Sequence, residues 1–486
     1  MGIRSYKQNL YVNIFDMKKK VLLVNPPTGL FIRDDRCQSD VGEFLLAVSR
    51  PPHELMIIAT ILQDNGYDVA VIDYPIEGKS GADYELDIRR ILPDILIINA
   101  TLPTLPSDIK CANYVKTVKK DIIVLLRCGM IEYYAREIMQ KEKGIDIIVY
   151  GESDFTICDF LECNDKKDVK GIFYRDGKKV VKTEPRPFVE DLDILPIVNR
   201  DLIRNELYIR PDTKNPLGLI EVSRGCPYSC IFCLSPLAYG KIHRRRSVSN
   251  IIKEIKICTE KYGIYDFHFK SDLFSFSREW VLELCKGIVE NNIKIQWFAN
   301  SRVDTVDEEL LKNMKKSGCF ALSFGVEAGS QYILDKIKKN TTLDKIKMTF
   351  DLCKNVKIRT YAYFIIGFPW DTEDTVKQTI RFSKKIKPDF VDIFFPYAFP
   401  GTELYRLISS QGNSPLFNFE RHAYSRVQFS IPSLSKKRLI GLRKKALRNF
   451  YLRPLYILQV LMKCRNFKEL FNVIRFALSS IKKIGL

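Results

Sequence analysis

Three cysteines, Cys226, Cys230 and Cys233, stand within eight residues of one another in Arg224-Gly225-Cys226-Pro227-Tyr228-Ser229-Cys230-Ile231-Phe232-Cys233. Thiolates are the common protein ligands of iron–sulfur clusters, and a four-iron cubane ordinarily takes four of them. This loop supplies three, with no fourth nearby. One iron would then keep an open position, which a catalytic cluster needs in order to bind a substrate or cofactor. A zinc site asks for four ligands at paired spacings. The nearest histidine downstream, His243, lies ten residues beyond Cys233 in a basic stretch, 241–246, that reads as a strand edge or substrate-facing loop. Zinc and three unrelated structural cysteines are the alternatives to a cluster.

The elements that must hold this loop follow from the apolar pattern. Short β-branched runs at 21–25, 69–73, 95–99, 122–126 and 145–150 alternate with helix-like segments such as 54–65 and 107–119. Such alternation argues for a doubly wound, Rossmann-like parallel sheet. A hairpin follows at 171–183, turning at Asp176-Gly177. Residues 185–216 carry several prolines and few apolar runs, and read as a linker. A second alternation has strands at 219–222, 266–270, 295–299, 320–324, 361–366 and 390–395. Val281, Leu284, Cys285 and Ile288 recur at helical spacing between two of them, as do Ile346, Phe350 and Cys353. Thr305 and Glu308 are spaced as a capping box. Six β/α units in about 200 residues fit a partial (β/α)6 barrel better than a full eight-unit one. The expected fold is therefore α/β: an extension (1–17), a Rossmann-like domain (18–184), the linker, the barrel (217–410) and a basic helical C-terminal region (411–486).

At this point the chain resembles the radical S-adenosylmethionine (SAM) superfamily. Phe232 precedes the third cysteine, where the family places an aromatic near the adenine. Gly325-Val326-Glu327-Ala328-Gly329 is similar to the family's Gly-x-Glu-Ser-Gly segment, which implies Glu327 near the ribose, with Ala328 in place of serine. Ile365-Ile366-Gly367-Phe368-Pro369 resembles the segment flanking the adenine, with Trp370-Asp371-Thr372 where Gly-Glu-Thr is usual. Asn300, Ser301 and Arg302 fall where polar residues are expected to hold the methionyl part, and the segment from Pro396 to Thr402 follows the sixth strand. All these segments follow strand ends, the rim where barrel enzymes build sites. Asp272, after the second strand, is a candidate acid on the SAM or substrate side, or else a turn residue. The resemblance implies a [4Fe–4S] cluster on the three cysteines. A flavodoxin- or ferredoxin-type reductant would reduce it. SAM would be cleaved to a 5′-deoxyadenosyl radical that abstracts hydrogen from a substrate.

The N-terminal domain looks like the B12-binding-type domain of one radical SAM subgroup, which includes cobalamin-dependent methylases, the anaerobic magnesium-protoporphyrin cyclase and lipid-modifying enzymes. Val24-Asn25-Pro26-Pro27, Pro51-Pro52-His53-Glu54, Ala100 to Thr104 and Tyr150-Gly151-Glu152 carry that likeness. No histidine sits in the Asp-x-His-x-x-Gly ligand motif, and Arg127-Cys128-Gly129-Met130 stands where the subgroup has Gly-Gly-Pro-His. Two readings stand side by side: cobalamin bound without a protein nitrogen, or a degenerate domain that shapes the substrate tunnel.

Composition bounds the rest. Of a net charge of +19 over 486 residues, the last 52 residues carry fourteen Lys and Arg and one acid, Glu469. Basic residues interleaved with Leu439, Leu442, Leu447 and Phe450, and with Phe467, Leu470, Phe471, Ile474 and Leu478, read as an amphipathic surface for an anionic membrane. A cap on the barrel and phosphate contacts to nucleic acid are the alternatives, nucleic acid the least favoured. Thirteen cysteines without a signal-type segment argue against a disulfide framework and for the cytoplasm, with peripheral contact at the inner membrane face. A hydrophobic or lipid-like substrate is the corresponding expectation. The competing classes are a tRNA-modifying radical enzyme, which would need a second cysteine set in the N-terminal domain, and a non-catalytic iron–sulfur protein.

Overall fold

The computed structural model describes residues 19–35, 38–43, 48–410, 424, 426–454 and 456–458. The extension before residue 19 and the second half of the basic tail, with Phe467, Leu470, Phe471, Ile474 and Leu478, lie outside the described residues.

The first sheet has seven strands in the order Asp68–Asp73, Lys20–Asn25, Ile95–Asn99, Ile123–Arg127, Ile147–Val149, Ile172–Asp176, Lys179–Lys182. The first five run parallel, and the last two are the antiparallel hairpin at Asp176-Gly177. Ile95–Asn99 is buried throughout, because helices cover both faces of a parallel sheet and leave no wet side. His53–Asp64 and Thr156–Glu162 pack on one face, and Gly81–Ile91, Leu105–Val118 and Glu132–Lys141 on the other.

A short hairpin, Phe31–Arg33 with Gln38–Asp40, bends over the C-terminal ends of these strands. The expected linker is a packed strap. It sends Val189, Leu192, Leu195 and Val198 into the same cluster as the His53–Asp64 helix. Of these only Leu192 sits on a one-turn 3-10 segment, and the others lie in irregular stretches, so their spacing matches neither helix nor strand.

The second sheet holds six parallel strands in chain order: Leu217–Glu221, Asp266–Lys270, Gln296–Ser301, Cys319–Glu327, Arg359–Ile365 and Phe390–Phe394. It is an open barrel, with Leu217–Glu221 and Phe390–Phe394 as its edges. In Arg359–Ile365, burial alternates strictly. Ala362 and Phe364 pack outward against the helices, and Tyr361, Tyr363 and Ile365 alternate with them. Cys258, Cys285 and Cys353 are buried core residues.

The capping box at Thr305 is corrected. Asp307 caps helix Glu308–Lys316, its carboxylate accepting from Leu310 N at 2.8 Å, while the Thr305 hydroxyl donates to Arg302 O at 3.1 Å. Asp is as good a cap as Thr, and the later start buries Leu310, Leu311 and Met314 together.

Helix Lys436–Tyr451, capped by Ser435, docks Leu439, Leu442, Leu447 and Phe450 on the barrel. The Tyr451 hydroxyl donates to Val391 O at 2.7 Å on the last strand. Among the described residues, no helix is long and apolar enough to cross a membrane.

Candidate active site at the barrel rim

The cysteine loop starts where the first barrel strand ends. Val222 N donates to Lys270 O, and Ser223–Arg224 then pairs antiparallel with Arg244–Arg245. Gly225 follows at φ +89°, and a Cβ there would lie 2.1 Å from Ile242 O, so the chain can turn only through glycine. Gly225 N donates to Asp272 Oδ2 at 2.8 Å, and the Ser235 hydroxyl donates to Asp272 Oδ1 at 3.0 Å. Asp272 therefore clamps both ends of the loop. Cys226 N donates to Gly240 O at 3.1 Å, Cys233 N to Cys230 O at 3.1 Å, and Ile231 N to Ile337 O at 3.2 Å.

Burial pushes the Cys226 thiol up to about 11, and the neighbouring Cys233, Asp272 and Cys230 charges push the same way. The three sulfurs thus share one electrostatic neighbourhood, and binding a metal would deprotonate them. Among the described residues, no three His, Cys, Asp or Glu converge as ligands of a single ion. A cubane takes its thiolates on separate irons, and Cys226, Cys230 and Cys233 are the residues that would hold it, one iron being left without a protein ligand.

His243 is no ligand candidate. Its ring packs edge-on to Phe276 at 5.2 Å, and burial lowers its pKa to about 4. Within 241–246, Arg244–Arg245 forms a strand edge, and Arg244 and Arg246 are buried in ion pairs. Arg244 donates to Glu152 at 2.6 Å, and Arg246 donates to Glu254 at 2.5 Å.

Beside the loop stand the segments expected to hold SAM. The Phe232 ring lies 5.7 Å from that of Phe368. Gly367 (φ +99°) and Phe368 both donate their amides to Asp371 Oδ2, at 2.8 and 2.9 Å, so Asp371 shapes this turn. Pro396 is buried, its ring 3.7 Å from where a Cβ on Gly367 would be.

A register shift between Gly325 and Glu327 re-aims the acid, which adopts φ +66°. Glu327 Oε1 would lie 2.2 Å from a Cβ on Gly325, so the glycine makes room for it. The same oxygen accepts from Lys339 Nζ at 2.7 Å.

Asn300 is half-buried at the rim. The Ser301 hydroxyl is bonded to that of Ser275 and so is turned to the wall. Arg302 turns toward Cys230. The roles of Lys339 and Arg224 escaped the sequence reading, because Glu327 and Asp154 lie on other loops, whereas the role of Asp371 in its own turn is local.

Facing the rim are the strand ends of the N-terminal domain. Arg127 is buried there, donating to Asn99 Oδ1 at 2.9 Å, Ser153 Oγ at 2.7 Å and Asp35 Oδ2 at 2.5 Å. Asp35 also accepts from Gly129 N at 3.1 Å, and Gln38 from Leu102 N at 2.9 Å. Next to them, Leu102 and Met130 share an apolar cluster with Leu234, Tyr397 and Phe399 of the barrel rim. Leu102 and Met130 are the apolar side chains that would lie against a corrin at these strand ends.

Buried ions tie the two domains at the same level. Arg224 reaches Asp154 at 2.6 and 3.0 Å, and Glu221 at 2.7 Å. Lys270 Nζ reaches Glu54 at 2.6 Å and Glu221 at 2.8 Å.

Residues 220–383 match the family model of the radical SAM superfamily, so this barrel, with three thiols at its rim, is a radical SAM domain. The likeness runs beyond it. Over 452 residues the chain is 28% identical to an uncharacterized methyltransferase of Pyrococcus horikoshii, across 92% of this chain and 96% of that one. Over 392 residues it is 26% identical to the anaerobic magnesium-protoporphyrin IX monomethyl ester cyclase of Rubrivivax gelatinosus, across 78% of this chain and 70% of that one. The structure of the radical SAM methyltransferase TsrM from Kitasatospora setae, with cobalamin and a [4Fe–4S] cluster bound, matches with a TM-score of 0.68 at 18% identity, across 81% of this chain and 78% of that one. The chain therefore carries a radical SAM domain, and its likeness to these relatives and to this fold extends through the N-terminal domain as well.

Proposed function

We propose that this enzyme uses cobalamin and SAM to methylate an unactivated carbon of a hydrophobic small molecule. The observation that carries the reading is the apolar cluster of Leu102, Met130, Leu234, Tyr397 and Phe399, which joins the corrin-edge loops to the residue after Cys233. A methyl carrier and a SAM-cleaving centre must meet across one dry space, and this junction is apolar on both sides.

Cys226, Cys230 and Cys233 would hold the cluster, and Asp272 fixes their loop through Gly225 N and Ser235. Phe232 and Phe368, in tilted contact with each other, would together flank the adenine, and Glu327, anchored by Lys339, would face the ribose. When bound, these groups supply reductive cleavage of SAM and the methyl transfer. The chain's own residues orient them and keep water out.

A low-potential flavodoxin- or ferredoxin-type protein is the reductant in this reading. The outer face of helix Lys436–Tyr451 exposes Lys437, Ile440, Lys444, Lys445 and Arg448. That face supports peripheral contact with the anionic inner surface of a membrane, where lipid-like substrates reside.

The test is anaerobic reconstitution with iron, sulfide, hydroxocobalamin and SAM under reductant. The expected outcome is bound corrin together with 5′-deoxyadenosine and S-adenosylhomocysteine. Uptake of a cluster without corrin, or 5′-deoxyadenosine without S-adenosylhomocysteine, refutes methyl transfer.

A further inference from the structure

Arg302 stands just past the Gln296–Ser301 strand and is 7% exposed. Its partners nearly exhaust its hydrogen-bonding capacity. Nε donates to Asp304 Oδ1 at 2.9 Å, and Nη2 donates to Asp304 Oδ2 at 2.8 Å and to Lys339 O at 2.6 Å. Nη1 lies 3.9 Å from Cys230 Sγ. A guanidinium has five N–H groups, so one is left over. That excludes a two-pronged grip on the SAM carboxylate. The flat face is also taken, stacked 3.7 Å from the centre of the Tyr228 ring, within the cysteine loop itself.

The group is thus built into the loop as a fixed cation against one thiolate. Fixed charges and hydrogen bonds to ligand sulfurs set the potential of an iron–sulfur cluster. At this burial, salt screens them little.

We propose that Arg302 is a positioning and tuning residue of the cluster: it donates to Cys230 Sγ and makes the cluster easier to reduce. The electron comes from a low-potential one-electron carrier protein and takes the cubane from the 2+ to the 1+ state. The Arg302 charge opposes the negative charge so added, and no proton moves. Asp304, which holds Arg302 in a bidentate pair, partly cancels that charge, so the two residues act with opposite sign. The inference rests on the cluster reading above and sharpens it, because the resemblance had placed Arg302 on the methionyl group.

The experiment is an anaerobic redox titration of the reconstituted full-length chain, read by electron paramagnetic resonance. SAM affinity is measured in parallel by equilibrium dialysis of the unreduced protein. Arg302→Gln is expected to lower the reduced-to-oxidised ratio at fixed solution potential about tenfold, which is 59 mV for a one-electron couple. Arg302→Lys recovers part of that loss, and Asp304→Asn shifts the midpoint the other way. If Arg302→Gln fails to fold, the Lys and Asp304 variants still carry the sign test. Midpoints that do not move in the variants, with SAM binding reduced in Arg302→Lys, overturn the proposal and make Arg302 a SAM contact. A wild-type chain that takes up no cluster fails the functional reading itself, before any variant is compared.

Discussion

Lys270 is the cation on which the domain junction turns. Its Nζ lies 2.6 Å from Glu54 of the N-terminal domain and 2.8 Å from Glu221 of the barrel, with Asp34 at 4.0 Å. All of these side chains are buried. Replacement by Met keeps the apolar stem and removes the charge.

Each carboxylate at such a distance gains roughly 6 kcal/mol from the ammonium at an effective dielectric of ~20, before desolvation is counted. Breaking a buried pair by deleting one partner costs ~3–5 kcal/mol net, because it leaves a buried charge without compensation. The cost depends on pH through Glu221. Burial pushes the Glu221 carboxyl up, but Arg224, Lys270 and His53 together hold it well below the usual range. A depressed carboxyl contributes stability above its unfolded value near 4.5, and loses it as pH falls. Without Lys270 the carboxyl titrates higher, so Lys270→Met is costliest at neutral pH, and the gap to wild type narrows on going to pH 5. Urea unfolding followed by circular dichroism at pH 7.5 and pH 5 measures both values. Adding Glu54→Gln to the Met variant should restore part of the loss at pH 7.5. A cost below ~1 kcal/mol, or an equal cost at both pH values, refutes the reasoning.

Gly225→Ala places a Cβ 2.1 Å from Ile242 O at φ +89°, so the cysteine loop must shift as a unit. Iron bound per chain after reconstitution should fall severalfold while the far-ultraviolet spectrum is retained, and full iron content would count against this. Asp73→Asn tests the other sign. Burial pushes the Asp73 carboxyl up to about 6, against the Tyr208 and Asn25 hydrogen bonds that favour its charged form. A raised acid costs stability once it ionises, by roughly 3 kcal/mol above pH 6 and nothing below its unfolded value of 3.8. The Asn variant should gain up to that amount at pH 7.5 and none near pH 4, and a pH profile parallel to wild type would contradict the assignment.

The strands were readable because parallel sheets covered on both faces leave unbroken β-branched runs, and the cysteine loop because its chemistry is local. Three kinds of feature were not. The hairpin Phe31–Arg33 with Gln38–Asp40 has three-residue strands rich in polar side chains, too short for any period to register. The strap looked like a linker, because its apolar residues lie in irregular chain and follow neither helical nor strand spacing. At the site, Phe232, Glu327 and Gly367 were found through segments contiguous with them, whereas Lys339 and Arg224 are defined by contacts across loops. Arg302 shows the limit most plainly: its position at a strand end was readable, but its direction depends on Asp304, Tyr228 and Lys339 O jointly.

The buried ions at the junction explain why the two domains meet at one angle. Apolar contacts such as Leu102 and Met130 on Leu234 resist separation but tolerate sliding, since dispersion is non-directional. Glu54, Lys270, Glu221, Arg224 and Asp154 form a continuous chain from one domain to the other and back, ending one residue before Gly225. A slip by a few ångströms would strand several charges at once, each costing kilocalories. The position of Cys226 relative to the corrin-edge loops is thereby set by charge registry. Charge registry supplies the directionality that the apolar contacts lack, so the two sets of contacts together hold the cysteine loop at one distance from the strand ends of the N-terminal domain.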